Sequence, residues 1–97
     1  MPVIARTRAG DHELSGQGTL MVQCLGAGLP VASSCAGRGA CAKCAMRILE
    51  GQTALFPPAP HEALVLLRER LPEDVRLSCQ TCVRRRGDRV ILQTGYW

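Results

Sequence analysis

The sequence predicts an α+β domain in which a mixed sheet of four to five strands covers one principal helix. The main support is the order of local patterns: strand, strand, helix, strand, helix, strand, strand. A chain of 97 residues also favours a single domain over residues 1–97, with a modest core. Only three aromatic residues are present, so that core must be built mainly from aliphatic side chains.

The strand predictions depend on short extended patterns bounded by turn residues. Residues 3–8 and 13–15 are predicted as an N-terminal hairpin, because Gly10 and Asp11 between them are typical of a tight turn. Three later segments are predicted as strands, at residues 45–49, 75–79 and 89–94. The Pro-rich segment 56–60 is predicted as a rigid connector, since its three prolines remove three backbone donors.

The first predicted helix is short and covers residues 20–27. Thr19 is a plausible N-cap, and glycines at its end weaken and then stop the helix. Leu20 and Cys24 share one face at helical spacing, which predicts that Cys24 is a buried core residue with no redox role.

The second predicted helix covers residues 61–71 and ends before Pro72. Leu64, Leu67 and Leu71 recur at spacings of three and four, which predicts an apolar face directed at the core. Glu62 precedes these leucines and is grouped with the polar residues of the helix.

Four of the six cysteines carry most of the functional information. Cys35, Cys41 and Cys44 lie in the small-residue run CAGRGACAKC, and Cys79 follows Cys44 after 34 intervening residues. A 2Fe-2S core needs two thiolates on each of its two irons, so four cysteines saturate it. Glycine and alanine between the ligands let the loop curl and aim backbone N–H groups at sulfur. This pattern predicts an iron–sulfur site.

A zinc-ribbon-like or rubredoxin-like site is the alternative metal interpretation. Cys41-x-x-Cys44 and Cys79-x-x-Cys82 form a double knuckle, but its separation exceeds the usual spacing of about 15–20 residues. It also leaves Cys35 and the small-residue run unexplained. Cys82 is therefore expected to be a strand residue or a neighbour of the cluster, with a ligand role as the alternative.

Charge and composition limit the other function classes. The net charge of +4 and the Arg84-Arg85-Arg86 run admit nucleic-acid binding, but no stacking aromatic accompanies the run, so a solvated turn is expected. His12 and His61 are not placed beside a nucleophile, so no enzyme is predicted. The sequence shows neither a signal-peptide pattern nor an apolar stretch long enough to span a bilayer. We therefore expect a cytoplasmic protein without stable membrane insertion.

The cysteine run, the following RILEG segment at 47–51 and the RLSCQ segment at 76–80 together resemble the 2Fe-2S ferredoxin family of β-grasp fold. The resemblance covers nearly the whole chain. Five residues separate Cys35 from Cys41, as in adrenodoxin-like ferredoxins and the ferredoxin domain of sodium-pumping NADH:quinone reductases. It implies Cys35, Cys41, Cys44 and Cys79 as cluster ligands.

The resemblance also implies partners. It predicts a monomeric one-electron carrier of low potential, about −400 mV if it behaves like plant-type ferredoxins. Its donor would be a ferredoxin reductase, and its acceptor an oxygenase, a P450 or another redox enzyme. Many family members are acidic whereas this chain is basic. Arg38 and Lys43 lie within the cysteine run, so they are expected to lie near the cluster and to steer the carrier toward acidic partner patches.

Overall fold

A computed structural model describes residues 3–31, 43–84, 89–95 and 97. The strands are β1 (Val3–Thr7), β2 (Gly10–Glu13), β3 (Ala45–Glu50), β4 (Val75–Leu77) and β5 (Val90–Gln93). The helices are α1 (Leu20–Gly26) and α2 (Pro60–Arg68), with a 3-10 turn at Gln52–Ala54. Each strand and helix overlaps its predicted segment, although the return strand β2 begins earlier, at the turn glycine. The α+β class and its element order are confirmed.

The five strands form one mixed sheet in the order β2-β1-β5-β3-β4. The β1–β5 pair is parallel, whereas β1–β2, β3–β5 and β3–β4 are antiparallel. Strands β2 and β4 therefore form the two edges of the sheet. Each edge leaves backbone groups that no neighbouring strand can pair.

The core lies between one face of this sheet and α1. Alternate residues of the strands point into it, as period-two geometry requires, and α1 contributes Leu20 and Cys24. Both side chains are fully buried, so the predicted core position of Cys24 is confirmed. Burial raises the pKa of the Cys24 thiol to about 12, which leaves it neutral and unreactive at physiological pH.

Helix α1 begins as its sequence predicts. The Thr19 hydroxyl accepts a hydrogen bond from the Val22 backbone N–H at 3.2 Å, which satisfies one donor of the first turn. The buried Gln23 amide accepts from Gly16 N–H at 2.9 Å and donates to the Gly18 carbonyl at 3.1 Å. These bonds fix the entry loop against the helix.

Helix α2 differs from its prediction in orientation and length. Leu64 and Leu67 are 66% and 76% exposed, whereas Glu62 and Val65 are buried. The predicted apolar face is therefore wrong for Leu64 and Leu67, whereas Leu71 is half-buried and packs against the cluster that includes Val65. The physical cause is the Glu62 carboxylate, whose hydrogen-bond donors lie beneath the helix. The helix face that carries Glu62 and Val65 therefore turns inward. The helix ends at Arg68, before the predicted limit.

Gly51, which follows β3, is required by close packing. Its φ is +92°, and a Cβ atom there would overlap the Arg89 carbonyl oxygen. Backbone atoms at the start of β5 thus occupy the space that any side chain at this position would need.

Among the described residues, no helix has the length and apolar character needed to cross a bilayer.

Candidate metal centre

Two of the four predicted ligands meet at the β4 edge of the sheet. Cys44 immediately precedes β3, and Cys79 follows β4 by two residues. Because the antiparallel register places Ala45 opposite Leu77, the start of β3 and the end of β4 lie side by side. The Sγ atoms of Cys44 and Cys79 are consequently 3.3 Å apart. Both cysteines are buried, at 0% and 7% exposure.

Cys79 lies in a tight segment of residues 77–81, here called the ligand turn. Ser78 joins this turn to the other cysteine: its N–H and its hydroxyl both donate to the Cys44 carbonyl, at 3.2 and 2.7 Å. The Thr81 hydroxyl donates to the Leu77 carbonyl at 2.7 Å and so closes the turn on itself. Ser78 and Thr81 are fully buried, which makes these bonds inaccessible to water.

The first turn of α1 also contacts the ligand turn. The N–H groups of Leu20 and Met21 donate to the carbonyls of Thr81 and Ser78, at 2.9 and 3.0 Å. The first N–H groups of a helix have no acceptor within the helix, so the ligand turn supplies acceptors that α1 lacks. The segment that carries Cys79 is therefore held from two sides by backbone and side-chain bonds.

A buried ion pair lies on the α2 side of the same turn. Arg76 Nε and Nη2 donate to the two oxygens of Glu62 at 2.7 and 3.0 Å, and the side chains are 10% and 1% exposed. Glu62 Oε2 also accepts from the Leu77 N–H at 3.1 Å. Sequence reasoning missed both residues, as it did Ser78 and Thr81. The available signal was an arginine in an otherwise apolar edge strand, which calls for a buried partner.

The two sulfur atoms of the cysteine pair lie in different electrostatic surroundings. Burial is the main cause that raises the pKa of the Cys44 thiol to about 11, although a hydrogen bond from the Cys79 backbone opposes it. Metal binding must therefore displace a proton from Cys44. The Gln80 side-chain N–H lies 3.7 Å from Cys79 Sγ and donates to it, a contact that favours negative charge on sulfur.

The geometry fits one iron of a 2Fe-2S cluster. Two thiolates on a tetrahedral metal, with bonds of about 2.3 Å, lie about 3.8 Å apart. Cys44 and Cys79 need to separate by only a fraction of an ångström to reach this value. When bound, such a cluster exchanges one electron at a time and has no open position for substrate.

The other two predicted ligands, Cys35 and Cys41, lie outside the described residues, as does Arg38. Cys82 is described: it is partly exposed and its backbone forms an isolated bridge with Thr19. In the described part of the chain, no three His, Cys, Asp or Glu side chains form a group that could hold a metal ion. Cys82 therefore does not join Cys44 and Cys79 in such a group.

Comparison with known proteins decides the family. The model of the 2Fe-2S iron-sulfur cluster binding domain matches residues 10–84. The chain belongs to the 2Fe-2S ferredoxin family. As a member it binds a 2Fe-2S cluster and acts as an electron carrier rather than an enzyme, as the resemblance implied.

Two relatives have sequence similarity to this ferredoxin. One is 2Fe-2S ferredoxin-5 of Aquifex aeolicus, 37% identical over 65 residues, which are 66% of this chain and 68% of that protein. The other is a component of the Na⁺-translocating NADH-quinone reductase of Chlamydia pneumoniae, 34% identical over 70 residues. The second match covers 72% of this chain but 15% of that component, so it concerns one part of a larger protein.

Solved structures confirm the β-grasp fold predicted for this ferredoxin. The ISC-like [2Fe-2S] ferredoxin of Pseudomonas putida aligns over 100% of this chain and 94% of its own, with a TM-score of 0.81 and 19% identity. Putidaredoxin in its covalent complex with putidaredoxin reductase aligns over 94% of both chains, with a TM-score of 0.70 and 22% identity. At these identities the likeness concerns the fold alone.

Proposed function

We propose that Cys35, Cys41, Cys44 and Cys79 hold the cluster, with Cys44 and Cys79 on one iron and Cys35 and Cys41 on the other. The observation that carries the proposal is the 3.3 Å separation of the buried Cys44 and Cys79 sulfur atoms. Since each iron takes two protein thiolates, a pair formed by these two cysteines leaves the remaining pair to the small-residue run.

The surrounding residues give the site its redox character. The Gln80 N–H donates to Cys79 Sγ, while burial of both cysteines keeps water from the sulfur atoms. Hydrogen bonds to sulfur favour the reduced state and exclusion of water disfavours it. We propose a low potential, about −400 mV, as in plant-type ferredoxins.

The proposed electron path runs from a ferredoxin reductase, through this carrier, to an oxygenase, a P450 or another redox enzyme. Support for the reductase comes from putidaredoxin, a structural neighbour that forms a complex with its own reductase. The net charge of +4, with Arg38 and the exposed Lys43 beside the ligands in sequence, favours acidic partner patches. Electron-transfer rates with the reductase should then fall as salt rises; rates that stay constant from low to high salt would contradict this steering.

We also propose a monomer working in the cytoplasm. The described cysteines are all free, and thiols that serve as metal ligands are typical of reducing compartments.

Cysteine substitution tests the ligand set. Cys35→Ser, Cys41→Ser, Cys44→Ser and Cys79→Ser should each abolish or markedly weaken the red-brown visible absorption and lower the content of acid-labile sulfide. Cys24→Ala and Cys82→Ala are the matched controls, because Cys24 lies in the apolar core and Cys82 is apart from the cysteine pair. Both controls should keep the spectrum. A cluster retained in Cys35→Ser but lost in Cys82→Ala would favour the double-knuckle site instead.

A further inference from the structure

The Glu62 carboxylate connects α2 to the ligand turn through an unusual number of bonds. It is 1% exposed and accepts from Arg76 Nε, Arg76 Nη2 and the Leu77 N–H, at 2.7, 3.0 and 3.1 Å, and its Oε2 lies 3.4 Å from the Thr81 hydroxyl oxygen. Leu77 and Thr81 are the first and last residues of the ligand turn. One carboxylate therefore contacts both ends of the segment that carries Cys79.

The topology explains why this position needs an acceptor. Within the part of the chain that the structure describes, β4 pairs only with β3, and the Ser78 N–H points toward β3 to reach the Cys44 carbonyl. The preceding Leu77 N–H consequently points away from β3, on a side where none of the five described strands lies. The Glu62 oxygen takes the place that a neighbouring strand's carbonyl would occupy.

Stability alone is a weak reason for such an arrangement. A buried ion pair can often be replaced by apolar residues of similar size without loss of stability. Apolar side chains, however, cannot accept a directional bond from the Leu77 N–H or make a polar contact with the Thr81 hydroxyl. What the carboxylate contributes specifically is the geometry of the ligand turn.

We propose that Glu62 is a positioning residue for the cluster: it fixes the ligand turn so that Cys79 Sγ stays beside Cys44 Sγ and is not readily released from iron. Arg76 supports this role by compensating the buried charge. The inference deepens the proposed function and rests on the assignment of Cys79 as a ligand.

The test measures how fast the loaded protein loses its cluster. Visible absorption is followed in excess chelator for wild type, Glu62→Gln and Thr81→Val, with Glu69→Gln as the matched control at the exposed end of the same helix. Thr81→Val leaves the ion pair in place but removes the hydroxyl that contacts Leu77 and Glu62. Glu62→Gln should accelerate loss by about 10-fold, the low end of what outer-shell substitutions cost a metal site. Thr81→Val should accelerate it several-fold, and Glu69→Gln should not.

A double variant separates positioning from simple stability. In Glu62→Leu/Arg76→Met the buried charges are removed together, so the thermal midpoint should rise above that of Glu62→Leu alone. Fast cluster loss should nevertheless persist in this variant, because the acceptor for the ligand turn is absent. If cluster lifetime recovers together with the thermal midpoint, or if Glu62→Gln and Thr81→Val lose the cluster no faster than Glu69→Gln, the positioning role is wrong.

Cys79→Ser, measured in the same assay, tests the ligand role of Cys79 separately from the positioning role of Glu62. A wild-type cluster lifetime in Cys79→Ser would overturn the ligand assignment, and the positioning role with it. Loss of the cluster in Cys79→Ser, with unaltered lifetimes in Glu62→Gln and Thr81→Val, would overturn only the positioning role.

Discussion

The two edges of the sheet are held by ion pairs in opposite environments. At the β2 edge, Arg6 Nε lies 3.1 Å from Asp11 Oδ1, and both side chains are 46% exposed. At the β4 edge, Arg76 Nε lies 2.7 Å from Glu62 Oε2, with side chains 10% and 1% exposed. Water and salt screen the first pair, so it contributes little to stability. The second pair is screened far less, and each charge depends on the other.

This difference coincides with a difference in function. The β2 edge belongs to a hairpin remote in the sheet order from the cysteine pair, and its strand is largely exposed. The β4 edge leads directly into the ligand turn, where buried hydrogen bonds from Ser78 and Thr81 accompany the ion pair. Directional polar contacts are therefore concentrated where a sulfur atom must be held, whereas the far edge relies on backbone pairing and exposed contacts.

The largest expected effect comes from breaking the buried pair on one side. Arg76→Ala leaves the Glu62 carboxylate buried without its counter-charge. The free energy of unfolding should fall by about 3–5 kcal/mol, the range found when one partner of a buried pair is removed. Urea denaturation followed by circular dichroism measures the change.

Arg6→Ala is the matched control, since it removes an arginine of an ion pair at the opposite edge. Its urea midpoint should stay close to that of wild type because the remaining Asp11 carboxylate is solvated. Equal destabilisation by Arg76→Ala and Arg6→Ala would mean that the two edges do not differ in the way their burial indicates.

The same contrast explains what could be predicted from the sequence. Around α1 the local rules agree: Thr19 caps the helix, and Leu20 and Cys24 are buried at the expected spacing. In α2 the leucine spacing predicted the wrong face, because Leu64 and Leu67 are exposed and Glu62 is inward. Hydrophobic periodicity treats a carboxylate as solvent-facing unless its partners are known. Those partners, on β4 and in the ligand turn, become neighbours of α2 only in the folded chain.

The metal site shows a similar division. Cysteine types and spacing were sufficient to predict an iron–sulfur cluster, since four thiolates in this pattern suit few other centres, and the family followed from the resemblance of the surrounding segments. The sequence could not show that Cys44 and Cys79 form the close pair, because the pairing depends on the register of β3 against β4. The roles of Ser78 and Thr81 could not be predicted for the same reason. A hydroxyl group stabilises a turn only if the fold places a buried acceptor opposite it.

The smallest expected effect concerns the exposed pair and its response to acid. The hydrogen bond from Arg6 is the main cause that lowers the pKa of Asp11 below its ordinary value of 3.8. A carboxyl group whose pKa is lower in the folded state stabilises the fold above its unfolded pKa and loses that contribution as pH falls through its folded pKa. Asp11→Asn should therefore melt at a slightly lower temperature than wild type at pH 7, and this gap in melting temperature should close as pH falls below 3.8.

Salt of about 1 M should also close the gap at pH 7, because it shortens the screening length to about 3 Å. A gap that persists in acid and in salt would show that Asp11 acts through the conformation of the hairpin turn rather than through its charge, and the two edges would then differ less in electrostatics than in their turns.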